Sequence, residues 1–146
     1  LEKLKELGLD EGINYVEKDL VAEVMRLTND VGVNLVVDPI GGEVLQKSLA
    51  AAGYRGRIIT MGSAGRDFRK TDLQGFGQGN KSLTGVFLGA EIATERVQKI
   101  MGQLMADIDA GELKVLIDKT FPLSQAADAH AFIESRQAIG RVVLVP

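Results

Sequence analysis

Apolar residues recur along this chain in two rhythms. Leu1, Leu4 and Leu7 stand at helical spacing before Gly8, so the chain opens inside a helix that the glycine stops. Ile13-Asn14-Tyr15-Val16 predicts a short strand, and Asp19 then caps a helix with Leu20, Val24 and Leu27 on one face. Asn29, Asp30 and Gly32 break that pattern. The run Val33-Asn34-Leu35-Val36-Val37 follows, ended by Asp38-Pro39, and suits a strand buried on both faces as in a parallel sheet.

Gly41-Gly42 opens the next helix, which carries Val44, Leu45, Ser48, Leu49 and Ala52 and closes at Gly53. Arg57 to Met61 returns as a strand, and residues 62–80, with five glycines, read as a long loop beyond its carboxyl end. Lys81 to Leu88 predicts another strand. Glu91 to Ala110 predicts a long helix with Val97, Ile100, Met101, Leu104, Met105 and Ile108 facing inward and Gly111 as its stop. Leu116 to Phe121 is extended, Ser124 caps a last helix to about Arg136, and Val142 to Val145 is the terminal strand.

Strand and helix alternate throughout, and parallel strands need the long crossovers that helices supply. The class is therefore α/β, a parallel sheet with flanking helices and right-handed connections. With 146 residues, one core and one domain over 1–146 are expected.

Composition narrows the chemistry. A net charge of −3 offers no positive field for nucleic acid or an anionic membrane surface. No apolar run reaches the roughly 20 residues that span a bilayer, so a cytoplasmic protein is expected. There is no cysteine, which excludes disulfides, thiol nucleophiles and thiolate zinc sites within the chain. The first residue is Leu rather than Met, as in a trimmed or partial chain.

Several strings carry a family likeness: Gly-Leu-Asp-Glu-Gly-Ile-Asn-Tyr (8–15), Asn-Leu-Val-Val-Asp-Pro-Ile-Gly-Gly (34–42), Gly-Arg-Ile-Ile-Thr-Met-Gly-Ser-Ala-Gly (56–65), Lys-Ser-Leu-Thr-Gly-Val-Phe-Leu-Gly (81–89), Phe-Pro-Leu-Ser-Gln-Ala-Ala-Asp-Ala-His (121–130) and the ending Gly-Arg-Val-Val-Leu-Val-Pro (140–146). In order and spacing they resemble the nucleotide-binding domain of the zinc-free medium-chain dehydrogenases and reductases, the NADPH:quinone reductases and enoyl reductases. The resemblance implies a Rossmann-like sheet of strand order 3-2-1-4-5-6 whose first strand is followed by a glycine-rich phosphate-binding turn. That turn is absent here, and the likeness begins at the end of the second helix, so this is a partial NAD(P)-binding domain without its first two strands. The missing strands would leave the Val33–Val37 strand open. If residues upstream supply those strands no repair is needed; otherwise two are expected, that Ile13–Val16 slides beside it or that another copy of the chain pairs with it.

The resemblance also implies NADPH as cofactor and assigns residues to it. Tyr15 resembles a position reaching the adenosine 2′-phosphate, although a Tyr at a strand end also suits an amphipathic edge. Asp38, Gly41 and Gly42 lie at the carboxyl end of a central strand, where open α/β sheets bind ligands, and equally serve a strand-ending turn. Gly62 and Ser63, in the segment to Gly65, resemble the loop on the nicotinamide ribose, and read by themselves are a flexible loop. Phe87 and Leu88 resemble the segment whose backbone holds the carboxamide, on a strand that pairs across a homodimer. Arg141 resembles a basic position near the cofactor and is otherwise a surface charge.

His130, the sole histidine, is read as a helix-packing residue because no second ligand type surrounds it in the sequence. Asp107 and Asp109 are two apart on a helix and cannot face one another as an acid–base pair. The implied activity is NADPH-dependent reduction of a quinone or an α,β-unsaturated carbonyl, with no turnover expected of this chain alone. The alternatives are a non-catalytic dimeric remnant that serves as a binding module, and the enoyl reductase unit of a synthase.

Overall fold

A computed structural model describes residues 1–146, which form two compact units, Leu1–Ala90 and Glu91–Pro146. The first begins with a single helical turn, α1 (Glu2–Lys5). Residues 13–16 are not a strand: Asn14 folds the chain into a turn, its side chain accepting from the Val16 N–H at 3.2 Å and its carbonyl from the N–H groups of Glu17 and Lys18. Asn favours such local bonds over a ladder, which overrides the β-propensity of its neighbours. Helix α2 (Leu20–Leu27) starts as expected, with Asp19 accepting from the Ala22 N–H at 2.7 Å.

Strand β1 (Val33–Asp38), helix α3 (Gly42–Ala51) and strand β2 (Ala52–Thr60) make one βαβ unit, and β3 (Ser82–Gly85) adds a third strand. The sheet order is β1-β2-β3 and both pairings are parallel, with Val36 opposite Ile58 and Ile58 opposite Leu83. Only β2 is interior. Its Ile58 is 0 % exposed and centres a core of Leu45, Leu49 and Ala52 from α3, against which Val36, Phe76 and Leu83 pack. The opposite face of β1 is uncovered: Leu35 and Val37 are both more than half exposed.

The segment from β2 to β3 returns along α3. Gln46 exchanges two hydrogen bonds with the backbone of Asp72, at 3.0 and 2.8 Å, the Asn80 side chain donates to the Tyr54 hydroxyl, and the Lys81 ammonium donates to the Leu49 carbonyl at 2.7 Å. The β3 strand is shorter than its sequence suggested. It ends at Gly85, and a separate turn of helix, α4, occupies Leu88–Glu91.

In the second unit α5 covers Glu95–Asp109, capped by Thr94, whose hydroxyl accepts from the Val97 N–H. Of its expected inward residues only Val97 is buried, while Ile100, Leu104, Met105 and Ile108 are exposed. Periodicity specifies an apolar stripe, not what lies over it. Strands β4 (Ile117–Pro122) and β5 (Arg141–Val145) pair in parallel around α6 (Ala126–Glu134). The α6 start is capped by no side chain, because residues 123–125 form a 3₁₀ turn and Ser124 lies inside it. Phe121 and Phe132 stack tilted at 6.2 Å, with the Lys119 ammonium over both rings. His130 is exposed rather than packed, since Ala129 takes the buried position beside it. No helix is long and apolar enough to cross a membrane.

Candidate functional site

Two strand ends meet at the carboxyl edge of the first unit's sheet. Beyond the Asp38–Thr60 pair, the chain after β2 keeps bonding to the chain after β1. Met61 N–H donates to the Asp38 carbonyl at 3.0 Å, Ala64 N–H to Pro39 at 3.1 Å, and Gly65 N–H to Ile40 at 3.0 Å. The loops touch so closely that side chains have no room. A Cβ on Gly62 would lie 2.9 Å from the Pro39 carbonyl oxygen, and one on Gly41 would lie 3.3 Å from that of Gly62. Gly41 also has φ +77°, which an L side chain rarely adopts. The glycines at these positions are thus required by backbone meeting backbone.

Asp38 sits under this junction, 2 % exposed. One carboxylate oxygen, Oδ1, accepts from the N–H groups of Ile40 (2.7 Å) and Gly41 (3.0 Å), which folds the turn into α3. The other, Oδ2, is buried without a donor. A buried acceptor left unpaired is costly, so a hydrogen-bond donor brought to it would be stabilising.

The N-terminus of α3 faces a different group. The Asp67 carboxylate accepts from the Glu43 N–H at 3.1 Å and is gripped by the Arg69 guanidinium at 2.7 Å. Arg69 also approaches Glu43, which pairs with Lys47 at 2.8 Å. The guanidinium beside Asp67, helped by the backbone N–H groups of Arg69 and Glu43, holds its carboxyl below the usual range. Lys47 first, then Arg69, lowers Glu43 likewise. A helix N-terminus is a natural anion seat, and here a side chain of the chain fills it.

Of the residues picked out from the sequence, Asp38, Gly41, Gly42, Gly62 and Ser63 come together at this junction. Phe87 and Leu88 follow β3 at the same end of the sheet, where Val86 N–H still bonds to the Thr60 carbonyl; Phe87 is 77 % exposed. They are not part of an edge strand, because the ladder ends one residue before Val86. Tyr15 lies in the turn before α2 and is 62 % exposed. Arg141 opens β5 in the other unit, its backbone N–H bonded to the Leu116 carbonyl and its side chain exposed. Sequence reasoning missed Asp67. It stands 25 positions beyond Gly42, and no short-range spacing announces that its carboxylate lies against that glycine.

The chain matches the family described as zinc-binding dehydrogenase over residues 7–144. It is 33% identical to a 2-haloacrylate reductase of Burkholderia, covering 99% of this chain and 44% of that protein. Rat synaptic vesicle membrane protein VAT-1 homolog is 30% identical over 99% of this chain and 40% of its own length. Among solved structures, the Escherichia coli quinone oxidoreductase complexed with NADPH superposes with a TM-score of 0.86 at 28% identity, covering 99% of this chain and 46% of that one. The chain thus spans less than half the length of these relatives.

Proposed function

The chain belongs to the zinc-binding dehydrogenase family, in its quinone-oxidoreductase-like part, and from this premise we propose that it supplies the nicotinamide-ribose end of an NADPH site in a homodimeric cytoplasmic enzyme that reduces quinones or α,β-unsaturated carbonyls. One observation carries the reading most. The two loops beyond the parallel strands β1 and β2 are locked together over a buried carboxylate with a free acceptor, Asp38 Oδ2, at the end of the sheet where such folds bind nucleotides.

The residues present fit the uncharged end of the cofactor better than its phosphates. Asp38, Gly41, Gly62 and Ser63 would line the ribose side, with the backbone of Phe87 and Leu88 toward the carboxamide. Tyr15 would address the adenosine 2′-phosphate. No glycine-rich phosphate turn is present in the sequence, and the α3 N-terminus is taken by Asp67. NADPH, when bound, supplies the hydride; the loops' part is to fix the ring against the substrate and keep water away. Zinc does not fit. The chain has no cysteine and a single histidine, and no three of its acidic or histidine side chains converge as ligands.

Titration with NADPH, followed by backbone amide NMR, tests the reading. Shifts confined to 38–42, 62–65 and 86–88, with a further one at Tyr15, are expected, with weak affinity and no NADPH oxidation in the presence of a quinone. Shifts confined to other segments would remove the site, and turnover by the 146-residue chain would overturn its inactivity alone.

A further inference from the structure

We infer that Asp67 is a positioning residue for the proposed ribose loop, residues 62–65, which it holds in place by anchoring the loop's far end to the start of α3. The inference rests on the reading of residues 38–42 and 62–65 as the nicotinamide-ribose end of an NADPH site.

The loop has little of its own to hold it. Residues 61–66 are all exposed, and Gly62, Ser63, Ala64 and Gly65 offer no large side chain that a core could grip. On the side of β1 the loop is fixed by two backbone bonds, from the N–H groups of Ala64 and Gly65 to the carbonyls of Pro39 and Ile40. On the other side Arg66 turns the chain with φ +52°, a conformation that a residue with a Cβ avoids unless its neighbours impose it. Its N–H donates back to the Ser63 carbonyl at 2.8 Å. Asp67 comes next, the first residue after β2 that is not exposed.

Asp67 fits α3 by shape as well as by charge. Gly42, with φ +56°, leaves the space that the carboxylate fills, for a Cβ there would lie 2.5 Å from Asp67 Oδ2. That oxygen accepts from the Glu43 N–H at 3.1 Å and from the Arg69 guanidinium at 2.7 Å, while Oδ1 accepts from the Arg69 N–H at 3.2 Å. The consecutive glycines thus serve one loop at two points, Gly41 against Gly62 and Ser63, and Gly42 against Asp67. Beyond them the contacts climb α3 in step with the chain, Asp67 on Glu43 and Asp72 on Gln46. A loop pinned at both ends of its turn need not be ordered by its ligand. If it is competent only while docked, the apparent affinity scales with the docked fraction.

Amide exchange without ligand, urea unfolding, and NADPH titration followed by NMR, all on the 146-residue chain, test this together. In Asp67→Ala, Ala64 and Gly65 should lose their protection while Ile58 and Ile59 keep theirs. The urea midpoint should barely move, and NADPH should bind about threefold to tenfold more weakly. Asp67→Asn, which keeps an acceptor for the Glu43 N–H but no charge for Arg69, should fall between Asp67→Ala and the unaltered chain in exchange and in affinity alike. Protection retained at Ala64 and Gly65 in Asp67→Ala would overturn the inference whether or not NADPH binds. Protection lost with affinity unchanged would also overturn it and leave the cofactor reading standing, and a weakening matched by a lower urea midpoint would reduce Asp67 to a general stabiliser. NADPH that shifts nothing in the unaltered chain would remove the cofactor reading and the positioning role with it.

Discussion

Strands β1 and β2 are neighbours of similar composition in opposite circumstances. β2 has a partner on each side and α3 beneath it, and its Ile58 is wholly buried. β1 has one partner, and Leu35, adjacent to the packed Val36, is 56 % exposed. At their carboxyl ends the contrast disappears, for the loops that follow are bonded to each other residue by residue. Order at the candidate site therefore comes from the junction of two strand ends, while the side of β1 has no partner strand among these residues.

Truncating each strand measures that contrast. Ile58→Ala should have the largest effect, about 2–5 kcal/mol lost in urea unfolding, because a core of Leu45, Leu49 and Val36 closes around it. Gly62→Ala should come next, at about 1–3 kcal/mol, since its methyl meets the Pro39 carbonyl and must prise the loops apart; amide exchange at Ala64 and Gly65 should quicken with it. Leu35→Ala should change stability by no more than about 0.5 kcal/mol. A loss near that of Ile58→Ala would mean β1 is covered within one chain, and the contrast would collapse.

The clasp at α3 gives the smallest effect, and one that depends on pH. Asp67 and Glu43 have lowered carboxyl pKa values in the folded chain, so their contribution is fully present above the unfolded value of about 4 and is lost as pH falls through the folded values. Loosening of residues 67–72 from α3, read by amide exchange, should begin only below pH about 4, and Asp67→Asn should flatten that dependence. Glu23, held at about 2 by Arg26 and Lys18, should keep those ion pairs until the pH falls toward that value in the same titration.

Much was legible in the residues themselves. Asp19 as a cap, the parallel pairing of Val33–Val37 with Ile58–Thr60, and the gathering of Asp38, Gly41, Gly62 and Ser63 all follow from short-range rules, since caps, strand runs and strand-ending turns are written within a few positions. Ile13–Val16 misled because one side-chain bond from Asn14 outweighed the propensity of its neighbours. Only the tertiary structure could show that Gly41 and Gly62 are required by each other, that Asp67 fills the α3 N-terminus, and that Asp38 keeps an unpaired oxygen. Such facts depend on which distant segments come within 3 Å, and a period of 2 or 3.6 residues fixes which way a side chain faces but not what it meets.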